Sequence, residues 1–418
     1  MLKNQTGFLE LLFITVLIAV SGRLFSQTLP LPSGKYKTGY LRIEWTDSTR
    51  IDPLSVDKAF RRIAADIWYP AENATGKTVH YLDTFAINRA YGAADFQNFL
   101  GKEGFEKIRS GKIHTHAREA APFCKSLSSA PVIFFSHGMG MIPNLYTVQI
   151  EDLASHGYIV VAISHAYDAW LVTFKEGIQA TFETKRRSAA GNTEEQHIAY
   201  ENERIRWWAE DLRYALDQLT GMRKEDHPAI YFAGKMDLHR VGAMGHSAGG
   251  RAAALACQID ERIKSCADQD GVAMMQPFYR GQDGIGMKQP FLLFERVSKY
   301  KATEADAASA GMKLDEMNAL VQRLRQQKEA ALSATGGSYH VLLLFDSTTH
   351  MSFSDLPLLE ARTNAERKKA ERILKVTCSY TREFFDKTLR DRKAPLYDSA
   401  NRPDYIELVQ QYPRQVNR

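Results

Sequence analysis

The stretch VGAMGHSAGG, Val241 to Gly250, sets a serine in a G-x-S-x-G pattern. A strand-like run, HRVGAMGHS, leads into Ser247, and a helix-prone run, RAAALACQI, follows it. Strand, sharp turn and helix in that order present a serine hydroxyl at the carboxyl edge of a sheet. Gly245 and Gly249 keep Cβ atoms out of the crowded turn, and the helix N-terminus favours negative charge beside the hydroxyl. The chemistry this would serve is nucleophilic attack on a carbonyl. A serine hydroxyl is a weak nucleophile until a base takes its proton. The chain must therefore supply a base, an acid to orient it and donors for the oxyanion.

With this turn, acid and base follow the serine in the chain. Only two histidines lie beyond Ser247. His340 opens the apolar run HVLLLF and so sits at the amino end of a strand, the wrong edge for Ser247. His350 follows that run in FDSTTHMSFSD, at the right edge, and is the expected base. The residues leave the acid open. Glu295 ends the run PFLLFE, while SCADQDGVAMM offers Asp268 and Asp270 earlier. The acid would hold the imidazole tautomer and stabilise the imidazolium. For the oxyanion, the N–H after the nucleophile belongs to Ala248. A second is expected from Met139, in the HGMG loop that follows VIFFS.

These residues need a scaffold. Apolar runs at 64–71, 130–138, 158–165, 290–295 and 338–345 alternate with helical patterns, and continuous aliphatic runs suit strands covered on both faces. In 201–220, Ile205, Trp208, Leu212, Leu216 and Leu219 recur at steps of three and four. Similar faces appear in 312–332 and 373–384. The expectation is an α/β protein with a mainly parallel sheet flanked by helices. A single domain over 27–418 is expected, with insertions near 73–129, 166–200 and 302–335. The N-terminus has a charged residue, Lys3, then an apolar run from Leu11 to Val20, and reads as a signal peptide over 1–26. Secretion or a periplasmic location follows from that reading, with an uncleaved anchor as the alternative.

Composition narrows the function classes. The 418 residues are 44% hydrophobic and 25% charged, with a formal net charge of +5. No basic stripe interleaved with aromatics appears, so nucleic-acid binding is not expected. The four cysteines form no CxxC pair, which argues against a zinc or redox motif. Cys257 and Cys266 could pair after secretion, or remain buried thiols. His114 and His116 in HTH lack further ligands, and neither a metal nor a cofactor is expected.

Taken together, TGYLRIEWTD, RRIAADIWYPA, VIFFSHGMGMIPNLYTVQIEDLASHGYIVVAISH, GHSAGG, DERIKSCADQDG and YTREFFDKTL resemble the secreted platelet-activating factor acetylhydrolases and their bacterial relatives. The resemblance spans most of the mature chain and implies an α/β-hydrolase fold. It implies Ser247 as nucleophile, His350 as base, and Asp270, 23 residues after Ser247, as the acid. Glu295 then stands as the alternative acid. Met139 and Ala248 would form the oxyanion hole. The expected function is a serine carboxylic-ester hydrolase acting on short or modified acyl esters, including phospholipid esters. Acetylated sugars or polyesters are alternative substrates; a serine peptidase or amidase, or a non-catalytic binding protein, are alternative functions. The expected partner is a small or lipid ester, with peripheral contact to a lipid surface permitted by the mild positive charge. SHAYDAW, 302–335 and 73–129 depart from the family's pattern, which leaves substrate identity open.

Overall fold

The computed structural model describes residues 29–110, 113–182, 194–222, 232–271, 288–296, 302, 304, 307, 312–333, 337–345, 348–399, 403 and 405–412. The expected signal segment lies outside the described residues. Among the described residues, no helix is long and apolar enough to cross a membrane.

The sheet is built from β1 (Lys37–Ile51), β2 (Phe60–Ala71), β3 (Thr78–His80), β4 (His114–Glu119), β5 (Ala130–Ser136), β6 (Ile159–His165), β9 (Met236–His246), β10 (Ile263–Gln269), β11 (Phe291–Arg296), β12 (Ser338–Leu343) and β13 (Ile406–Tyr412). A separate hairpin pairs β7 (Leu171–Thr173) with β8 (Gln179–Thr181). The spatial order in the large sheet is β13-β12-β11-β10-β9-β5-β6-β2-β1-β4-β3. From β12 through β6 every neighbouring pair is parallel, while β2 runs antiparallel to both β6 and β1. β5 and β6 are buried at every residue, as their uninterrupted apolar runs require of strands covered on both faces.

The helices are α1 (Thr84–Arg109), α2 (Thr147–Ser155), α3 (Glu194–Gly221), α4 (Ala248–Ile259), α5 (Leu314–Ser333), α6 (Leu356–Glu360), α7 (Asn364–Arg390) and α8 (Pro395–Asp398). Two apolar clusters form, one on each face of the sheet. One takes Ile205, Trp208, Leu212, Leu216 and Leu219, the stripe read from the sequence in α3, together with the alanines of α4. The other takes α2 and Ile373, Val376, Tyr380 and Phe384 of α7. The three stretches expected as insertions carry β3, α1 and β4; β7 and β8; and α5. The four cysteines are buried free thiols.

The parallel strands fix the edge where chemistry can occur. β5, β9, β10 and β12 all run the same way, so the loops after Ser136, His246, Gln269 and Leu343 emerge together. Those loops carry Met139, Ser247, Asp270 and His350.

Candidate active site

The turn from β9 into α4 is as tight as the G-x-S-x-G spacing implies. Ser247 has φ 56° and ψ −123°, a conformation that a non-glycine residue adopts at a cost of about 1–3 kcal/mol. The turn closes only because its neighbours lack side chains. A Cβ on Gly249 would lie 2.1 Å from the Ser136 carbonyl oxygen, and one on Gly245 would lie 2.3 Å from the Gly249 carbonyl carbon. The Ser247 N–H donates to the Gln269 carbonyl, tying the turn to β10 (2.9 Å).

His350 opens a short 3-10 turn, His350–Phe353, whose start is closed by a reciprocal cap between Thr349 and Ser352. Its Nε2 lies 2.9 Å from Ser247 Oγ and its Nδ1 lies 2.6 Å from Asp270 Oδ2. The Asp270 carboxylate can only accept, so Nδ1 carries the hydrogen and Nε2 is left to accept the serine proton. His350 is about one-third exposed, whereas the Asp270 side chain is fully buried. Asp270 also has a positive φ, 60°, and its N–H is anchored to the Phe294 carbonyl (2.8 Å). Arg296 donates from Nε to the same Asp270 oxygen at 3.2 Å. The structure thus brings Ser247, His350 and Asp270 into one hydrogen-bonded row.

Glu295, the alternative acid, is elsewhere. It is buried and bonded to His340 Nε2 at 2.9 Å, with both side chains almost fully excluded from solvent. Asp268 accepts the Gly271 N–H (2.8 Å). Neither carboxylate is among the recorded partners of His350.

The loop after β5 presents its main chain to the same place. The N–H of Gly138 donates to Tyr146 Oη, that of Gly140 to the Asp168 carbonyl and that of Met141 to the Gly138 carbonyl. Ala248 is the first residue of α4, so its N–H has no intrahelical acceptor. Among the described residues, neither the Met139 nor the Ala248 N–H meets an acceptor in the protein.

Behind this loop lies a polar cluster that sequence reasoning missed. His137 donates from Nδ1 to the Gly138 carbonyl (2.7 Å), and its Nε2 accepts the His165 N–H. His165 in turn bonds Ser136 Oγ through Nε2 (2.8 Å) and Asp211 Oδ2 through Nδ1 (2.9 Å). Asp211 is paired with Arg61. Burial holds both imidazoles neutral, lowering His137 to about 3 and His165 to about 4. Ser136, His165 and Asp211 form a second Ser-His-Asp row, but all three are buried, so no substrate carbonyl can reach it. Its place is under the oxyanion loop. The signal was the pair of SH dipeptides at the ends of β5 and β6; nothing local showed that they meet.

Comparisons with known proteins bear on the fold and the family. A ferulic acid esterase from Streptomyces cinnamoneus superposes with a TM-score of 0.68 over 92% of this chain and 100% of its own, at 24% identity. With the parallel core of the sheet and its flanking helices, this gives the chain the α/β-hydrolase fold. The platelet-activating factor acetylhydrolase of Cavia porcellus is 26% identical over 253 residues, covering 57% of this chain and 54% of that protein. That of Canis lupus familiaris is 26% identical over 170 residues, covering 37% of each chain. The matched stretch thus spans about half the length, or less, of these curated relatives. The family described as platelet-activating factor acetylhydrolase, isoform II, matches residues 25–370. That stretch takes in the loop after β5, the strained Ser247, Asp270 and His350, and the chain belongs to this family.

Proposed function

We propose that the protein is a serine carboxylic-ester hydrolase. The observation that carries this reading is the Ser247–His350–Asp270 row, with bonds of 2.9 and 2.6 Å, at the one-third-exposed His350. His350 Nε2 takes the proton as Ser247 Oγ bonds to the ester carbonyl carbon. The carbonyl electrons move to oxygen, and the N–H groups of Met139 and Ala248 meet that charge. Each such donor is worth about 3–4 kcal/mol of barrier. The intermediate collapses, and His350 returns its proton to the leaving alcohol. Water, deprotonated by His350, then attacks the acyl carbon, the bond to Ser247 Oγ breaks, His350 returns the proton to that oxygen, and the acid leaves.

The substrate class is a short or modified acyl ester, in keeping with relatives named for acetylhydrolase activity. A lipid ester held at a surface fits one further feature. Exposed Ile51, Val56 and Phe60 cap the β1–β2 hairpin, and Ile63 of β2 pairs with His165 at the carboxyl end of β6. The hairpin tip therefore shares an edge with Ser247. Met351, beside the base, is exposed too.

Turnover of p-nitrophenyl acetate, butyrate and palmitate by the wild type and Ser247→Ala tests the reading. Wild-type hydrolysis that disappears in the variant is expected. Equal inertness of both on every ester sinks it.

A further inference from the structure

The residue before the nucleophile, His246, is buried and takes no direct part in the row above. Its ring nevertheless touches both halves of the catalytic apparatus. Nε2 lies 2.8 Å from the carbonyl oxygen of His350, and Nδ1 lies 2.8 Å from Tyr146 Oη. The same Tyr146 oxygen receives the Gly138 N–H from the oxyanion loop at 3.1 Å. Donor chemistry fixes the direction. A carbonyl can only accept, so His246 Nε2 carries the hydrogen. A neutral ring then leaves Nδ1 as acceptor for the Tyr146 hydroxyl, whose oxygen is free to accept from Gly138. Were His246 protonated, Tyr146 would face a donor at Nδ1 and another at Gly138, with its own hydrogen displaced.

We propose that His246 is a positioning residue, the centre of a one-way relay from Gly138 through Tyr146 and His246 to the His350 main chain, which holds the oxyanion loop and the base as one unit. Other contacts brace the same two segments. The Gln149 amide donates to the Phe353 carbonyl (2.5 Å), and the Asp355 N–H donates to the Leu145 carbonyl (2.6 Å). The rings of His246 and His350 lie 4.5 Å apart between centroids, and Phe353 packs on His246 at 5.9 Å. The inference rests on the ester-hydrolase reading for its kinetic consequence but not for its chemistry.

Two measurements test it. In the folded full chain, ring ¹⁵N shifts of His246 should report the neutral Nε2–H tautomer from pH 5 to 8, in the wild type and in Ser247→Ala. The Nδ1–H tautomer or a protonated ring overturns the relay, whether or not any ester is hydrolysed. In kinetics, Tyr146→Phe keeps the ring and deletes the middle hydroxyl. It should lower kcat by about 10- to 100-fold, the loss expected of a misplaced catalytic group, with KM changed by less than about threefold. His246→Leu should lower kcat at least as far, and His246→Gln, which can still donate to the His350 carbonyl, should recover part of it. An active wild type whose Tyr146→Phe and His246→Leu variants keep full kcat overturns the relay while leaving the hydrolase reading intact. An inert wild type sinks the hydrolase reading alone, and the tautomer then decides the relay.

Discussion

At the scale of single residues, the acid is the sharpest question, because two strand ends offered carboxylates, Glu295 at one and Asp268 and Asp270 at the other. Asp270 and Glu295 are both fully buried, and each is bonded to a histidine. They differ in which histidine. Asp270→Asn removes the acceptor that holds the His350 tautomer and is expected to lower kcat by about 10⁴-fold. Glu295→Gln should leave kcat nearly unchanged. It weakens the buried pair with His340, costing about 1–3 kcal/mol of stability. Steady-state kinetics and urea melts of the two variants check this, and a larger kcat loss in Glu295→Gln would reverse the assignment. Ser247 and His350 were legible because chain order and the strand-end argument left one histidine at the right edge. Asp270 could be preferred over Glu295 only through family resemblance, because nothing in its residue type fixes the positive φ of the turn that aims it at His350. His246, Tyr146 and Arg296 were illegible for a simpler reason. Their partners lie on loops that only the folded sheet brings together.

At the scale of elements, the strands with continuous apolar runs were readable, and β10 was not. Its sequence IKSCADQ carries Lys264, Ser265, Asp268 and Gln269, yet every residue but Lys264 is buried. The polar side chains are absorbed by specific partners, such as Gln149 for Gln269 and Thr388 for Ser265. Residue type alone cannot reveal a strand whose burial is secured by distant partners. Helix α2 shows the same trade and yields a pH prediction. Glu151 accepts the N–H groups of His116 and Ala117 on β4, and burial pushes its carboxyl up to about 8 from an ordinary 4.5. Between those values the native chain keeps a proton that the unfolded chain has lost. Stability therefore falls as pH rises from 4.5 to about 8. Burial likewise pushes up the neighbouring Asp355, which adds the same sign. Glu151→Gln keeps the acceptor and removes the titration. It should melt at a higher temperature than wild type at pH 8.5 and close to wild type at pH 5. Equal melting temperatures at pH 8.5 would show that Glu151 ionises at no cost. His137 and His165 work in the opposite sense. Their native values, about 3 and 4, lie below the ordinary 6.5, so stability is lost as pH falls from 6.5 through those values.

At the scale of the whole molecule, the sheet gathers two features at one edge. Its parallel centre brings the Ser247–His350–Asp270 row there, and its antiparallel flank sends the β1–β2 hairpin to that same edge. The hairpin tip carries apolar side chains that the core does not use: Val56 is 89% exposed, Ile51 48% and Phe60 47%. Fully burying an exposed side chain of this size is favourable by roughly 1.5–3 kcal/mol; Val56 stands near that gain and the half-exposed Ile51 and Phe60 near half of it, which together would favour a lipid surface. Because the tip lies outside the Ser247–His350–Asp270 row, its loss should affect only substrate presented at a surface. Val56→Asp with Phe60→Asp is therefore expected to leave hydrolysis of soluble p-nitrophenyl acetate at the wild-type rate. The same pair should abolish co-sedimentation with phosphatidylserine-containing vesicles and slow turnover of an ester embedded in them. Equal sedimentation of wild type and variant would remove the hairpin from substrate capture.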